Sequence, residues 1–480
     1  MKKIRFKKFL SLLFLCVIVG HSQNQTKNSN QTLKYGAERI GKRTDRHMEH
    51  WRNYGLGQFI HWGVYAIPGG HWKGKYYPGA AEWIRSWKEM PKEAYDELYK
   101  QFNPKQFNAK AWARQAKDMG AKYVIITTKH HDGFCLWPSE FTDYTIANTP
   151  YKRDIIKQLV EAYDEAGVDV YLYFSIIDWN HPGYRAKIET EEDRVAYDGF
   201  KEFTRKQLLE LLELYPQTKG LWFDGTWDSA WKEQAAYVSD LDKELRAMIP
   251  GLIIGSRFRP DDFGNRHFDA NGNMMGDYEQ GWERKMPNTI EEVHGNDWDC
   301  VMTVPENQWG YHSDWRGHVK TSNELIEMLV KAVSLGGNFV LNFGPDGNGS
   351  IREEETTIAA EIGEWMNSNA TVIYNCGHLP WEKQDWGYYT VNRKTNEKYM
   401  VIFNHPISGM YKIQTPDKIK IRKAYLLENP SGELNIEACG ENKFIVHYRS
   451  SQKQTKPVVI VIKTDDNSGD PGIRYQKPKI

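Results

Sequence analysis

Leu221-Trp222-Phe223-Asp224-Gly225-Thr226-Trp227 is an apolar run that stops at a single carboxylate between two indoles. A short apolar run closed by glycine reads as a buried strand reaching its C-terminal end. In parallel α/β folds that end is where functional side chains collect. An aspartate among aromatic rings is desolvated on several sides, so it is paired, protonated or used. Capping of the next turn is the plain alternative. The tryptophans favour a site for an amphipathic ligand such as a sugar.

The flanking sequence repeats this pattern from about Trp51 to Trp365. Strand-like runs occur at Gly57–Trp62, Tyr123–Thr128, Val168–Ile177, Gly220–Phe223, Leu252–Ser256 and Asn338–Asn342. Helical periodicity lies between them at Ala109–Gly120, Ile155–Gly167, Phe203–Tyr215 and Asn323–Leu335. The expected architecture is α/β, a (β/α)8-type TIM-like barrel over residues 33–368. A doubly wound sheet competes, but no Gly-x-Gly-x-x-Gly follows an early strand. After about Thr371 the texture changes to short strands separated by Pro, Gly, Asn and Asp, which predicts a C-terminal all-β sandwich over 369–465. Residues 466–480 read as a polar tail.

Composition narrows the partners. The 63 basic and 63 acidic residues cancel, so no excess charge is available to neutralise a nucleic acid backbone. Residues 1–22 read as an export signal: Lys2, Lys3, Arg5, Lys7 and Lys8 precede apolar Phe9–Gly20, which is short for a membrane span. A periplasmic or secreted protein is expected, with no membrane span. Cys135, Cys300, Cys376 and Cys439 form no Cys-x-x-Cys pair, so buried free thiols are expected rather than a zinc site.

Polar residues recur where the proposed barrel strands end: His61-Trp62, Lys129-His130-His131-Asp132, Ser175–Trp179, Asp224 and Arg257. Five such ends in register predict a site on one face of the barrel. Adjacent histidines on a strand would point to opposite faces, and no His-x-His or His-Glu-x-x-His is present, so no metal site is expected. Neutral imidazoles would instead exchange hydrogen bonds with ligand hydroxyls. Glycoside hydrolysis would need a second carboxyl beside Asp224. Gly276-Asp277-Tyr278-Glu279-Gln280-Gly281-Trp282-Glu283-Arg284, read as a loop, offers Asp277, Glu279 and Glu283, and spacing does not choose among them.

Several segments in order resemble the α-L-fucosidases of glycoside hydrolase family 29. They are Gln58–Gly63, Ala81-Glu82-Trp83, Thr128–Trp137, Leu221–Gly225, Leu341–Gly349 and Ile362–Trp365 followed by Ile373-Tyr374. The resemblance implies an exo-acting, retaining hydrolase of terminal α-L-fucose on glycans, with no cofactor. It places the nucleophile on Asp224 and fucose contacts on His61, Glu82, Trp83, His130, His131, Tyr173, Trp222 and Arg257. Relatives carry the acid/base in a Gly-Asp-Tyr-x-Thr-Pro-Glu segment, of which only Gly276-Asp277-Tyr278 is kept here. With one inserted residue Glu283 takes that position; Glu279 is second, with Asp277 and Asp299 behind. A non-catalytic fucose-binding protein is the rival reading, against which the retention of Asp224 counts.

Overall fold

A computed structural model describes residues 43–449 and 456–466. The signal segment and nearly all of the polar tail lie outside the described residues. Eight parallel strands form the main sheet: β1 Leu56–Ile60, β2 Tyr123–Lys129, β3 Asp169–Ser175, β4 Gly220–Asp224, β5 Ile253–Ile254, β6 Glu279–Glu283, β7 Trp298–Thr303 and β8 Asn338–Phe343. Their order, β5-β4-β3-β2-β1-β8-β7-β6, leaves β5 and β6 at the two edges. The edges meet through main-chain bonds from Asp277 to Ile254 (2.8 Å) and from Ser256 to Tyr278 (3.0 Å). The sheet is therefore curled into the expected barrel.

Alternation along each strand separates two cores. Inward positions such as Phe59, Ile125, Tyr173, Trp222, Val301 and Val340 fill the barrel. Outward ones such as Ile60, Ile126, Leu172, Phe223 and Leu341 pack beneath the helices. Every residue of β2 is buried, as a strand covered on both faces requires. Local chemistry sets the helix ends. Asn108 caps Ala109–Met119, which stops at left-handed Gly120, while Thr321 and Glu324 form a reciprocal capping box on Ser322–Ser334. Among the described residues no helix is long and apolar enough to cross a membrane.

Two barrel strands, the long helices Ala235–Met248 and Glu353–Asn369 and part of a further helix are among the elements that escape the sequence reading. The segment taken as a loop around Glu279 is β6, and β7 had no counterpart. The helix expected from Phe203 begins at Glu191, where Thr190 and Asp193 cap it. The C-terminal region is a sandwich of a six-stranded and a three-stranded antiparallel sheet, the latter built from Met410–Gln414, Lys443–His447 and Asn435–Gly440. Its inner faces bring Met400, Ile402, Ile460 and Ile462 against Tyr411, Ile413 and Val446. The opposite face of the larger sheet, with Tyr399, Val401, Val459 and Val461, joins the barrel's outer core. Cys135, Cys300 and Cys376 are buried free thiols; Cys439 is exposed on an edge strand, contrary to expectation.

Candidate active site

The C-terminal ends of the barrel strands surround a cavity of about 550 Å³. Of the ten site residues expected from sequence, nine line it: His61, Glu82, Trp83, His130, His131, Trp222, Asp224, Arg257 and Glu283. Tyr173 lies just beneath and reaches it through Asp224.

Asp224 ends β4. Gly225 follows at φ +70°, where a Cβ would come within 2.8 Å of the Ile177 amide nitrogen, so glycine lets the chain turn away from the carboxylate. Asp224 Oδ1 accepts from Arg257 Nη1 (2.8 Å) and Oδ2 from the Tyr173 hydroxyl (3.0 Å). Arg257 Nη2 donates to Glu283 Oε2 (2.6 Å), and its Nε to the Gln280 carbonyl (2.9 Å). One guanidinium thus holds both carboxylates and the main chain of β6, while lying over the Trp222 ring at 4.8 Å. Burial disfavours the Arg257 charge, but Glu283 and Asp224 outweigh it and raise its pKa.

Glu283 reaches the cavity because β6 is bulged. Between Glu279 and Trp282 the pairing with β7 slips, so that Glu279 faces Trp298, Trp282 faces Cys300 and Glu283 faces Val301. A regular strand would give Glu279 and Glu283 the same face; the extra residue turns Glu283 inward, beside the inward Val301. Glu279 stays outside the cavity wall near Trp282, and burial pushes its carboxyl up to about 7. Asp277 is at the other end of the barrel, bound by Arg43 (2.9 Å) and Arg246 (2.8 Å). Asp299 is buried on the inward side of β7 but does not line the cavity, and burial raises it to about 7. Of the four acids considered beside Asp224, only Glu283 faces it across the pocket.

The histidines are held as neutral rings. Ser175 Oγ donates to the Ile177 carbonyl (2.7 Å), so it accepts from His131 Nδ1 (2.6 Å) and leaves Nε2 as a lone pair 3.7 Å from Asp224 Oδ2. Asn342 donates to the Trp309 carbonyl (2.8 Å), which turns its oxygen to His61 Nδ1 (2.6 Å) and again leaves Nε2 as an acceptor. Burial drives both rings down to about 3 and His130 well below its usual value. His130 and His131 both line the cavity because they follow the last residue of β2, where strand alternation no longer applies. Glu82 Oε2 accepts from the Gly310 amide (2.9 Å), whereas Oε1 is buried without a partner. Burial lifts this carboxyl to about 7, against the opposing Gly310 bond. His130 Nδ1 also lacks a partner. Buried polar atoms left this way are costly unless a ligand completes them.

His130, His131 and Asp224 bring three potential ligand atoms within 4.8 Å of one another. Both Asp224 oxygens already accept hydrogen bonds, and a dication there would meet the fixed charge of Arg257. The donor set suits hydroxyls better than a metal.

Other lining residues were not expected from sequence. Arg266 and His267 lie in the loop after β5, and Arg284 follows Glu283 directly. Trp309 lies between β7 and β8, and Trp227, three residues after Asp224, is near-parallel to Trp83 at 6.3 Å. Trp227 and Arg284 carried a visible signal, since each closes a segment singled out in the sequence.

A parallel barrel with two guanidinium-bridged carboxylates, neutral histidines and indoles at its mouth defines a glycoside hydrolase. The alpha-L-fucosidase family model matches residues 22–371, and the chain belongs to that family. It is 28% identical over 397 residues to the tissue alpha-L-fucosidase of Rattus norvegicus, covering 79% of this chain and 81% of that protein. A family 29 alpha-L-fucosidase structure from Bacteroides thetaiotaomicron is 49% identical with a TM-score of 0.87, over 90% of this chain and 98% of that one. Another structure from that organism, at the same identity and TM-score over 90% of this chain and 99% of that one, is a trapped covalent intermediate with 2-fluoro-fucosyl fluoride, using a Glu-to-Gln mutant.

Proposed function

We propose that the chain is an exo-acting, retaining α-L-fucosidase with Asp224 as nucleophile and Glu283 as acid/base. The observation that carries this is Arg257, whose Nη1 and Nη2 hold the two carboxylates on either side of one pocket. Retaining glycosidases place their carboxyls about 5 to 5.5 Å apart, against 6.5 Å or more for inversion. Neighbouring nitrogens of one planar fork suit the shorter spacing. The covalent intermediate trapped in the Bacteroides relative supports the same route.

In the first step an Asp224 oxygen attacks the anomeric carbon, the glycosidic C–O bond breaks, and the Glu283 proton passes to the departing oxygen. In the second, Glu283 takes a proton from water, the water oxygen bonds to the anomeric carbon, and the ester to Asp224 breaks. Arg257 and the Tyr173 hydroxyl hold Asp224 in line for both. The Nε2 lone pairs of His61 and His131 accept from ring hydroxyls, and Glu82 Oε1 gains the partner it lacks. Trp83 and Trp222 cover the apolar parts of the deoxysugar. Beneath the cavity Phe59, Tyr173 and Trp222 pack the barrel solid, which suits a terminal residue rather than a threaded chain.

Proton NMR of the reaction with an aryl α-L-fucoside tests the mechanism. α-Fucose as the first product is expected; β-fucose would overturn it. Export to the periplasm or medium is part of the same proposal, checked by the N-terminal sequence of the mature protein.

A further inference from the structure

The cavity has two electrostatically different walls. On the β1 and β2 side His61, His130 and His131 are uncharged at neutral pH. On the β5 and β6 side stand three guanidiniums. Arg257 is committed to the two carboxylates and the Gln280 carbonyl. Arg266 and Arg284 are not. Arg266 Nη1 donates to a neutral acceptor, Thr226 Oγ1, at 3.0 Å. Arg284 comes only within 3.7 Å of Glu283 Oε1 and keeps its side chain 52% exposed. Among the described residues neither has a carboxylate at hydrogen-bond distance, although Asp224 and Asp228 act on Arg266 from further away.

Two further observations mark this wall as a place for negative charge. His267, which also lines the cavity, is driven down to about 3 by burial and then by Arg257, Arg266 and Lys285. Arg284 has φ +58°, a left-handed conformation unfavourable for a non-glycine residue. Its Nε lies 3.7 Å from Glu283 Oε1. A proton donor has to touch the glycosidic oxygen, so the group bonded through that oxygen leaves past Arg284. Fucose itself, which carries no charge, is served by the opposite wall.

We propose that Arg266 and Arg284 form a leaving-group subsite for an acidic aglycone, one whose sugar carries a carboxylate or a sulfate ester. This rests on the assignment of Glu283 as proton donor, and it adds a substrate class to that reading. The carboxylate and the sulfate share the chemistry that a guanidinium recognises, two oxygens in a plane.

The test compares three fucosides of one linkage whose second sugar is neutral, a uronate or sulfated, with kcat/KM measured at low and high salt. A preference of about tenfold for at least one acidic substrate is expected at low salt, since a charged hydrogen bond contributes about that factor. It should shrink as salt screens the pair. The double variant Arg266→Gln, Arg284→Gln should bring the acidic-to-neutral ratio towards one. Because the readout is a ratio, any general loss of activity in the variant cancels. Preference for the uronate or for the sulfate supports the proposal and identifies the acid. Equal rates on all three, or a ratio unmoved by the double variant, would overturn it while leaving the fucosidase reading intact. Failure to release fucose from any of the three, with the set repeated at each α-linkage and with an aryl α-L-fucoside, would overturn both.

Discussion

The two ends of one barrel treat the same kind of side chain in opposite ways. At the floor, Asp277 takes both Arg43 and Arg246 and the Ile254 amide, so one buried carboxylate has two cations. These arginines outweigh its burial and lower its pKa. Around it the rings are closely packed, Trp51 on Tyr278 at 4.6 Å and Tyr54 on Tyr123 at 4.7 Å. At the mouth Asp224 and Glu283 have one guanidinium at hydrogen-bond distance, Arg257, and they share it. The contrast lies in charge rather than in orphaned atoms, for the Tyr123 and Tyr171 hydroxyls at the floor also lack partners. A carboxylate bound by two guanidiniums is locked and serves stability. Carboxylates with a single guanidinium at hydrogen-bond distance stay available for chemistry.

Substitutions at the two ends should break this contrast in different observables. Asp224→Ala is expected to lower kcat on the order of 10⁴-fold or more. Azide should restore part of the rate and yield β-fucosyl azide, which distinguishes a missing nucleophile from a misfolded protein. Glu283→Ala should cost about 10³-fold on a natural disaccharide. On an aryl fucoside with a good leaving group the loss should be far smaller, because little protonation is needed. Equal losses on both substrates would argue against its role.

At the floor, Asp277→Asn should take one carboxylate out of a network in which Arg43 keeps Asp45 and Arg246 keeps Asp242, and destabilise the fold by about 1 to 3 kcal/mol. The midpoint of denaturant unfolding reads this, while kcat/KM of the folded enzyme should change by no more than about twofold. A large catalytic defect in folded Asp277→Asn would blur the division between the two ends.

The smallest effect concerns Glu82. Its folded pKa of about 7 lies above the ordinary carboxyl value of 4.5, so the unfolded chain releases its proton first as pH rises. Its contribution to stability is therefore complete below about 4.5 and declines through the folded value. Glu82→Gln should make the fall in Tm from pH 4.5 to 7 shallower. An unchanged slope would show that Glu82 does not titrate in that window.

Much of this was legible in the amino-acid order, and the illegible parts have physical causes. Asp224 announced itself because an apolar strand ended on it, and β1 to β5 and β8 showed the apolar runs that doubly covered strands require. β6 did not, because Glu279-Gln280-Gly281-Trp282-Glu283 is polar where it meets the cavity and carries a bulge. The family resemblance put Glu283 first, but the side-chain direction that separates it from Glu279 depends on one slipped residue, which no alternation rule reveals. Asp277, two residues before Glu279, proved to sit at the far end of the barrel. Arg266 lies well beyond its strand in an irregular loop, so nothing local linked it to the site.

Labelling with 2-fluoro-fucosyl fluoride, followed by peptide mass spectrometry, tests the central claim most directly. The fucosyl adduct should be found on the peptide containing Asp224, on that carboxylate. An adduct on Glu283, Glu82 or any other side chain would contradict the assignment.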